Sequence, residues 1–432
     1  MPSASRAQRF AVLLAHARDR LGFDVGFALW NGATVPADLA PEALAIRIAD
    51  EGAVAALVRS PNIDTLANLW VSGRLDIHGG TIFDLVAQRP KIRSRAMLRS
   101  LDKFRTATTL ASFLPVSRGK PWPLEPIRGD RALADGTEAA NRTNVQYHYD
   151  ASNAFYAMFL DPSMVYTCGY FAQWNNDLAT AQHDKLEMIC RKLRLKPDET
   201  FLDIGCGWGA LVCHAARHFG VRAHGVTLSQ EQFAYAVDRI ARAGLADRVT
   251  LELRDYALVA GTFDKIASIG MFEQVGIANH PAYFRTVNRL LNPGGLYLHH
   301  SIARPAKRDD KTFARRPKEY AALVRYIFPG GELDHVGMSL ANLQRHGFEV
   351  HDVEAWREHY ARTCRLWHDR LAARYDEACR EVGSVKTRLW LAYLAGCALA
   401  FERNTVGVYQ TLASKRVRGP SGLPPTRADL YR

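Results

Sequence analysis

The 432-residue sequence lacks the features that mark disulfide-rich, zinc-binding and membrane-spanning proteins. Its seven cysteines form no C-x-x-C pair and no zinc-ligand spacing, which favours a reducing compartment and predicts no metal site. No apolar run approaches the length of a transmembrane helix, and the first residues lead into a stretch with Arg and His instead of a signal-peptide core. We therefore expect a cytoplasmic protein that buries a sizeable core.

Acidic residues are fewer than basic ones, 44 against 56, and the net charge of +12 favours an anionic partner. Charge alone leaves both nucleic acid and an anionic membrane surface open. Basic residues gather at 307–318 and 415–418, where they either face solvent or contact anionic lipid headgroups.

Composition and periodicity divide the chain into four segments. They are a small α+β domain (1–115), a linker rich in Pro and Gly (116–140), an α/β domain (141–415) and a basic tail (416–432). Strands and helices alternate in the third segment, which predicts a mostly parallel sheet. Its last part is predicted to be helical from His359 to about Ala413, and the tail is predicted to be mobile.

The most informative stretch is Phe201–Gly209, with the sequence FLDIGCGWG. An apolar strand leads to Asp203 and three alternating glycines, and helix-like residues follow. Glycines at such a strand-to-helix turn let a ligand approach the backbone closely. The G-x-G-x-G spacing differs from the G-x-G-x-x-G of dinucleotide binders, and the acid suits the ammonium and sulfonium of S-adenosylmethionine. We therefore interpret the stretch as a cofactor site in preference to a turn that only packs a helix on a sheet.

Polar residues follow the next two predicted strands, at the edge where ligands bind in this kind of sheet. Thr227 and Gln232 can hydrogen-bond a ribose, although Ser229 between them is also a helix N-cap. Asp255 and Tyr256 fit an adenine pocket, with a carboxylate for the amino group and a ring for stacking.

Two further clusters carry polar groups among apolar residues. Residues 144–171 are unusually aromatic, which is more often typical of a core than of a cofactor site, but Thr167 and Cys168 lie among the rings. Glu273 lies among apolar residues after a predicted strand, which is costly without a partner. His300 ends the following strand and would reach the same edge of the sheet.

Together these residues resemble the cyclopropane-fatty-acyl-phospholipid synthase family, which is related to the mycolic acid cyclopropane synthases. The matching motifs are Gln146–Asp150, Tyr166–Phe171, Asp203–Gly209, Gly225–Ser229, Gly270–Glu273, His300–Ile302 and Tyr393–Ala398. The resemblance covers about residues 140–415, and residues 1–115 more loosely resemble the lipid-associated, sterol-carrier-like front domain of the longer members.

The resemblance implies a class I methyltransferase fold, with a Rossmann-like, mostly parallel sheet and helical insertions that cover the substrate. It also implies an enzyme that transfers a methylene group from S-adenosylmethionine to the cis double bond of an unsaturated phospholipid acyl chain. The product is a cyclopropane ring, and a bound bicarbonate accepts the released proton. Such an enzyme would associate peripherally with the anionic inner face of the membrane, and a homodimer through the front domain is a further hypothesis.

The resemblance also assigns the site residues. Those implied to hold the bicarbonate are Cys168, Glu273, His300, Ile302 (through its backbone) and Tyr360. Those implied to hold the cofactor are Tyr166, Thr167, Asp203, Gly205, Gly207, Gly209, Thr227, Gln232, Asp255 and Tyr256. Cys397 falls at a position assigned as an active-site cysteine, but its apolar helix predicts an inert thiol. Gln274 departs from the family, in which His often follows the glutamate.

Three other functions compete with this interpretation. A lipid C-methyltransferase would give a methyl-branched or methylene fatty acid with the same fold and cofactor. A lipid-binding or lipid-transfer protein would work through the front domain, but it would not need the glycine turn. A nucleic-acid methyltransferase is disfavoured because the chain lacks an N-P-P-Y type loop and its predicted rim is too apolar.

Overall fold

The computed structural model describes residues 5–88, 102–119, 122–124, 152–315, 326–327 and 331–431. The chain divides into two compact units, Met1–Pro126 with Val382–Ala395, and Ile127–Glu381 with Gly396–Arg432. This division differs from the predicted boundaries, because residues 382–395 belong to the first unit and the tail belongs to the second. The motif at Gln146–Asp150 lies outside the described residues.

The first unit is a small α+β structure. Its described helices are α1 (Arg6–Leu21), α2 (Glu51–Arg59), α3 (Ile63–Val71), α4 (Ile82–Ala87) and α5 (Lys103–Ala111). Its strands are β1 (Gly26–Ala28), β2 (Thr34–Val35), β3 (Ala45–Ile48) and β4 (Leu75–His78), in the order β2-β1-β3-β4. Among these described strands β1 and β3 pair in parallel, and the other two pairs are antiparallel. Buried apolar side chains between the helices and the sheet form its core, among them Phe10, Leu69 and Phe113.

Residues 382–395 are tied to this unit through Arg388. Its guanidinium donates to the Trp70 carbonyl at 2.7 Å and to the Asp76 carboxylate at 2.9 Å. The guanidinium also lies over the Trp70 ring, 4.3 Å from the ring centroid. An ion pair, a backbone hydrogen bond and a cation–π contact on one side chain explain why this distant segment belongs to the first unit.

The second unit contains a seven-stranded sheet. Its strands are β5 (Thr200–Ile204), β6 (Arg222–Thr227), β7 (Val249–Leu253), β8 (Phe263–Ile269), β9 (Leu291–Ala303), β10 (Phe348–Ala355) and β11 (Gly407–Lys415). Their order is β10-β11-β9-β8-β5-β6-β7. The pairs from β9 to β7 are parallel, and β11 runs antiparallel to both of its neighbours. The alternation of strands and helices had predicted this mostly parallel arrangement.

The second unit also contains helices. They are α6 (Asn153–Phe159), α7 (Leu178–Leu193), α8 (Ala210–Phe219), α9 (Gln230–Arg242), α10 (His280–Leu290), α11 (Asp310–Phe313), α12 (Val336–Arg345), α13 (Arg357–Ala373), α14 (Tyr375–Val382) and α15 (Ser384–Glu402), the last of which spans both units. Among the described helices none is both long enough and apolar enough to cross a membrane.

The inner strand β5 is apolar because helices cover both of its faces. Phe201 packs in one buried cluster, with residues of α7 and α8. Leu202 and Ile204 point the other way, into a cluster with residues of α10 and α12. A strand buried on both faces has no polar side to expose, so it appears in the sequence as a continuous apolar run. Asp203 interrupts that run and is only 3% exposed. Because a buried carboxyl group is costly without a partner, its position suggests a functional role.

The predicted helix up to Ala413 is wrong beyond residue 402. Asn404 takes a left-handed conformation with φ of 55°, which ends helical geometry, and β11 then fills the gap between β9 and β10. The predicted mobile tail is also wrong at its end, because Leu430 is 2% exposed and Asp429 pairs with Arg194 at 2.9 Å.

Candidate active site

The glycine turn connects β5 to α8 at the carboxyl edge of the sheet. Gly205, Gly207 and Gly209 all have positive φ, at 82°, 53° and 81°. The amides of Gly205 and Cys206 both donate to the Val226 carbonyl at 3.0 Å, which fixes the turn against the end of β6. These left-handed conformations explain why the motif requires glycine.

The three glycines have different surroundings. A Cβ on Gly205 would lie 3.0 Å from the Met271 side chain, and one on Gly209 would lie 3.0 Å from the Cβ of Ala236. A Cβ on Gly207 would meet no heavy atom within 4 Å, because Gly207 faces an open cleft. Gly209 therefore lets α8 pack closely on α9, whereas Gly207 is where a ligand can approach the backbone.

This cleft holds about 1180 Å³ of empty space, its open mouth included. It is lined by all of the predicted cofactor residues except Gly209, namely Tyr166, Thr167, Asp203, Gly205, Gly207, Thr227, Gln232, Asp255 and Tyr256. Met271 and Gln274 also line it, on either side of Glu273 in the sequence. The position at which the chain departs from the family therefore faces this cleft.

Polar groups at the far side of the cleft are held by local hydrogen bonds. The Thr227 hydroxyl donates to the Gln232 amide oxygen at 3.0 Å, which turns both side chains toward each other after β6. The Asp255 carboxylate accepts from the Ala257 amide at 2.8 Å. The Tyr256 ring packs on Tyr283, with the ring centroids 5.3 Å apart, so a flat apolar surface stands beside these polar groups.

The segment before α7 closes the other side of the cleft. The Thr167 carbonyl accepts from the Gln182 side chain at 2.8 Å, and the Thr167 hydroxyl accepts from the Lys185 ammonium at 2.9 Å. The Tyr166 ring packs against Trp367 at 5.1 Å between centroids. Two side chains of α7 therefore set the position of Thr167.

Lys185 and Asp203 bring opposite charges to the floor of the cleft. Burial raises the pKa of Asp203 to about 7, and the positive charge of Lys185 counteracts this rise. Burial lowers the pKa of Lys185 to about 8, against the opposing effects of Asp161, Cys168 and Asp203. Both groups can change their ionisation near neutral pH, which is typical of functional sites.

A second set of residues meets beside the cleft, where Glu273 faces the end of β9. The Ile302 amide donates to the Glu273 carboxylate at 2.5 Å. Burial raises the pKa of Glu273 to about 7, against the lowering effect of that hydrogen bond. His300 lies two residues before Ile302 and therefore points from the same face of β9.

Cys168 and Tyr360 lie next to this set. Burial raises the pKa of Cys168 well above its usual value, so the thiol is neutral. Burial also raises the pKa of Tyr360, and the nearby Cys364, Cys168, Glu273 and Cys397 raise it further. Cys168 and Tyr360 are therefore hydrogen-bond donors and not nucleophiles at neutral pH. Cys397 lies on α15 near Tyr360 and is not among the residues that line the cleft.

The His300 ring is held by a hydrogen bond at its Nδ1 atom. Its Nδ1 lies 3.0 Å from the Gln410 side-chain nitrogen, whose amide oxygen accepts from the Lys192 ammonium at 2.8 Å. Burial holds the pKa of His300 well below its usual value, and the charges of Lys185 and Lys192 lower it further. The ring is therefore neutral. Its Nε2 is buried and has no hydrogen-bond partner among the described residues.

Sequence reasoning missed Lys185, Lys192, Gln182 and Gln410. One signal was present for the two lysines. They are seven residues apart on α7, within a buried face that also carries Ala181 and Met188. A lysine in an apolar helical stripe is costly unless it has buried partners, and this pattern could have drawn attention to both. Gln410 was missed because its segment was predicted to be helical, whereas it belongs to β11 and pairs with β9.

Comparison with known proteins identifies the family of the chain. A family model described as mycolic acid cyclopropane synthetase matches residues 137–411. A probable fatty acid methyltransferase of Pseudomonas putida is 36% identical over 408 residues, which are 94% of this chain and 95% of that protein. The cyclopropane-fatty-acyl-phospholipid synthase of Escherichia coli is 37% identical over 270 residues, with 62% of this chain and 67% of that protein covered.

The fold is also similar to that of a solved mycolic acid cyclopropane synthase. The crystal structure of mycolic acid cyclopropane synthase CmaA1 complexed with SAH and CTAB has a TM-score of 0.60 and 32% identity, and the match covers 63% of this chain and 98% of that one. The likeness confirms the predicted class I, Rossmann-like methyltransferase fold of the second unit. The chain therefore belongs to the mycolic acid cyclopropane synthetase family of S-adenosylmethionine-dependent methyltransferases.

Proposed function

We propose that the protein transfers a methylene group from S-adenosylmethionine to the cis double bond of an unsaturated phospholipid acyl chain, to form a cyclopropane ring with bicarbonate as the proton acceptor. The observation that carries this proposal is the cluster beside the cleft. It combines the Glu273–Ile302 contact, the His300 Nε2 that has no partner among the described residues, and the neutral donors Cys168 and Tyr360.

The residues of the cleft fit S-adenosylmethionine. Gly207 leaves its backbone open to the cleft, where the methionine part would lie, and Asp203 supplies a carboxylate for the ammonium. Thr227 and Gln232 would hold the ribose, with Asp255 and Tyr256 at the adenine. When bound, the cofactor supplies an electrophilic methyl group on a sulfonium.

The cluster beside the cleft fits a small anion. His300, Cys168 and Tyr360 would supply donors, and a protonated Glu273 would add one more, whereas the Ile302 amide already donates to Glu273. Lys185 and Lys192 make the potential at His300 positive, which favours an anion there. When bound, bicarbonate supplies the base for the proton that ring closure releases.

The remaining residues exclude water and align the reacting groups. An alkene is a weak nucleophile, so close alignment in a dry pocket must lower much of the barrier. The Tyr170 ring lies 5.0 Å from the Trp356 ring centroid, and Trp356 carries the carbonyl 3.8 Å from the Cys168 sulfur. We expect aromatic faces such as that of Tyr170 to favour positive charge that develops on the acyl chain.

A lipid C-methyltransferase is the second candidate. The P. putida relative that covers 94% of this chain is named as a probable fatty acid methyltransferase. Gln274, which faces the cleft, also departs from the usual family residue. Both products begin with the same methyl transfer, and they differ in how the positive charge on the acyl chain is removed.

Lipid mass spectrometry after expression in a host without cyclopropane lipids tests the proposal. A ring adds one CH2 group and removes the double bond. A methylene branch adds one CH2 group but keeps a double bond, and a saturated methyl branch carries two more hydrogens. A double-bond-specific cleavage therefore separates the ring from the methylene product. A methylene branch or a saturated methyl branch would contradict the cyclopropane synthase function and support the lipid C-methyltransferase.

A further inference from the structure

The hydrogen bonds behind His300 determine which ring nitrogen carries its proton. His300, Gln410 and Lys192 are each 1% exposed, so their polar atoms must be satisfied inside the protein. Gln410 reaches His300 from β11, and Lys192 reaches Gln410 from α7. Two hydrogen bonds therefore join the three side chains into a chain that leads from α7 to the cluster beside the cleft.

Charge fixes the direction of each hydrogen bond in this line. An ammonium can only donate, so the Gln410 group that faces Lys192 must be the amide oxygen. Glu354 pairs with the same ammonium and keeps it charged, although burial lowers the pKa of Lys192. The Gln410 NH2 group must therefore face His300, whose Nδ1 can only accept.

A neutral imidazole has one protonated nitrogen. With Nδ1 as acceptor, the proton of His300 must lie on Nε2. A network with only a structural purpose would satisfy this buried group, yet Nε2 is without a partner among the described residues.

We propose that Gln410, oriented by Lys192, is a positioning residue that holds His300 in the Nε2–H tautomer and presents this N–H as a donor to the anion. The part that concerns the anion rests on the proposed function. The tautomer itself depends only on the contacts within the chain.

Nitrogen-15 NMR of the histidine-labelled, ligand-free protein tests the tautomer directly. The His300→Asn variant assigns the His300 signals. We expect an unprotonated Nδ1 and a protonated Nε2 in the wild type. A protonated Nδ1 in the wild type would overturn the inference, whatever bicarbonate does.

The Gln410→Glu variant tests the cause. A carboxylate has nearly the same shape as the amide but cannot donate, so His300 must place a proton on Nδ1. We expect that change in the spectrum, with kcat reduced about 10–100-fold, by analogy with the groups that orient metal-ligating histidines. Affinity for S-adenosylhomocysteine should stay unchanged. Gln344→Glu, at an exposed position of α12, adds the same charge away from the site and should change neither readout.

Bicarbonate titration separates this inference from the proposed function. A shift of the Nε2–H signal on addition of bicarbonate supports both. A wild type that has the Nε2–H tautomer but shows neither a signal shift nor faster turnover with bicarbonate overturns the anion site of the proposed function. An unchanged tautomer in a folded Gln410→Glu variant overturns the role of Gln410.

Discussion

Lys185 donates from its ammonium to the Thr167 hydroxyl at 2.9 Å, and this contact joins the cofactor cleft to the segment that carries Cys168. The same ammonium interacts with the buried carboxyls of Asp161 and Asp203. One lysine on α7 therefore connects the two groups of residues on which the proposed reaction depends.

Lys185→Met should destabilise the protein and weaken cofactor binding. Removal of one partner from a buried ionic cluster costs about 3 kcal/mol, since the remaining charges lose their compensation. Thr167 also loses the donor that orients it. Chemical denaturation and calorimetry with S-adenosylhomocysteine measure both effects, with the exposed Lys196→Met as control. In combination with Asp203→Asn the loss should be smaller than the sum of the two single losses. If the two losses of stability add up fully in the double variant, Lys185 and Asp203 do not interact.

Cofactor affinity should rise with pH up to about 7. Burial raises the pKa of Asp203 to about 7, so the carboxyl is neutral below this pH and becomes a carboxylate above it. Only the carboxylate can pair with the cofactor ammonium. Below the pKa, affinity for S-adenosylhomocysteine should fall by up to about tenfold per pH unit and above it should level off. Calorimetry on Asp203→Asn should give a flat profile at the low-affinity level, and an equally steep profile would rule out Asp203 as the titrating group.

Gly207→Val should abolish cofactor binding without greater loss of stability than a matched control. Gly207 has φ of 53°, and its added side chain would enter the cleft. Gly244 has φ of 65°, is exposed and also has no atom within 4 Å of a Cβ, so Gly244→Val carries similar backbone strain away from the cleft. Both variants should lose comparable stability in thermal unfolding. If both bind S-adenosylhomocysteine equally well, Gly207 does not face the cofactor.

The sequence predicted the parts of the site that are local in the chain. The strand, the glycine turn and α8 all lie within Thr200–Phe219, and the turn needs glycine for reasons of backbone geometry alone. The sequence pattern singled out Glu273 and His300 at the ends of two predicted strands, and the resemblance gave them a role at the anion. In the structure both lie at the ends of β8 and β9, beside the cleft. Periodicity alone gave no role to either.

The partners of these residues come from distant parts of the chain. Gln410 follows His300 by 110 positions, and neither local pattern nor charge indicates that they meet. The β11 strand was missed because the apolar helix before it was extended too far. Its run from Val408 to Leu412 is rich in β-branched and aromatic residues, which favour a strand, but its pairing between β9 and β10 is a property of the whole sheet.

Glu273→Gln should reduce turnover with little effect on cofactor affinity. The amide oxygen can still accept from the Ile302 amide, so the fold is retained, but the group can no longer exchange a proton. A loss confined to kcat indicates an interaction made in the transition state. Steady-state kinetics with and without added bicarbonate measure this, and bicarbonate should stimulate the wild type more than the variant. Glu332→Gln is the control, since Glu332 accepts from the Ile277 amide at 2.8 Å. Equal kcat in both variants would count against Glu273.

The exposed basic residues after β9 should bind an anionic membrane. Lys307, Lys311 and Arg315 are exposed and follow the carboxyl end of β9, at the edge of the sheet where the cleft opens, whereas Arg316 and Lys318 lie outside the described residues. A lysine or arginine near an anionic surface contributes about 1 kcal/mol, so three together correspond to a difference on the order of a hundredfold in affinity.

Vesicle sedimentation with anionic phospholipid tests this surface. Replacement of Lys307, Lys311 and Arg315 by Ser should weaken binding strongly, and added salt should weaken binding of the wild type because it screens the same charges. The matched control replaces Lys196, Arg217 and Arg222, which are exposed near the amino ends of β5 and β6 and so lie at the opposite edge of the sheet. It removes the same charge but should leave binding nearly unchanged. Equal loss in both triple variants would mean that net charge alone attracts the protein, and no loss in either would place the contact on another surface.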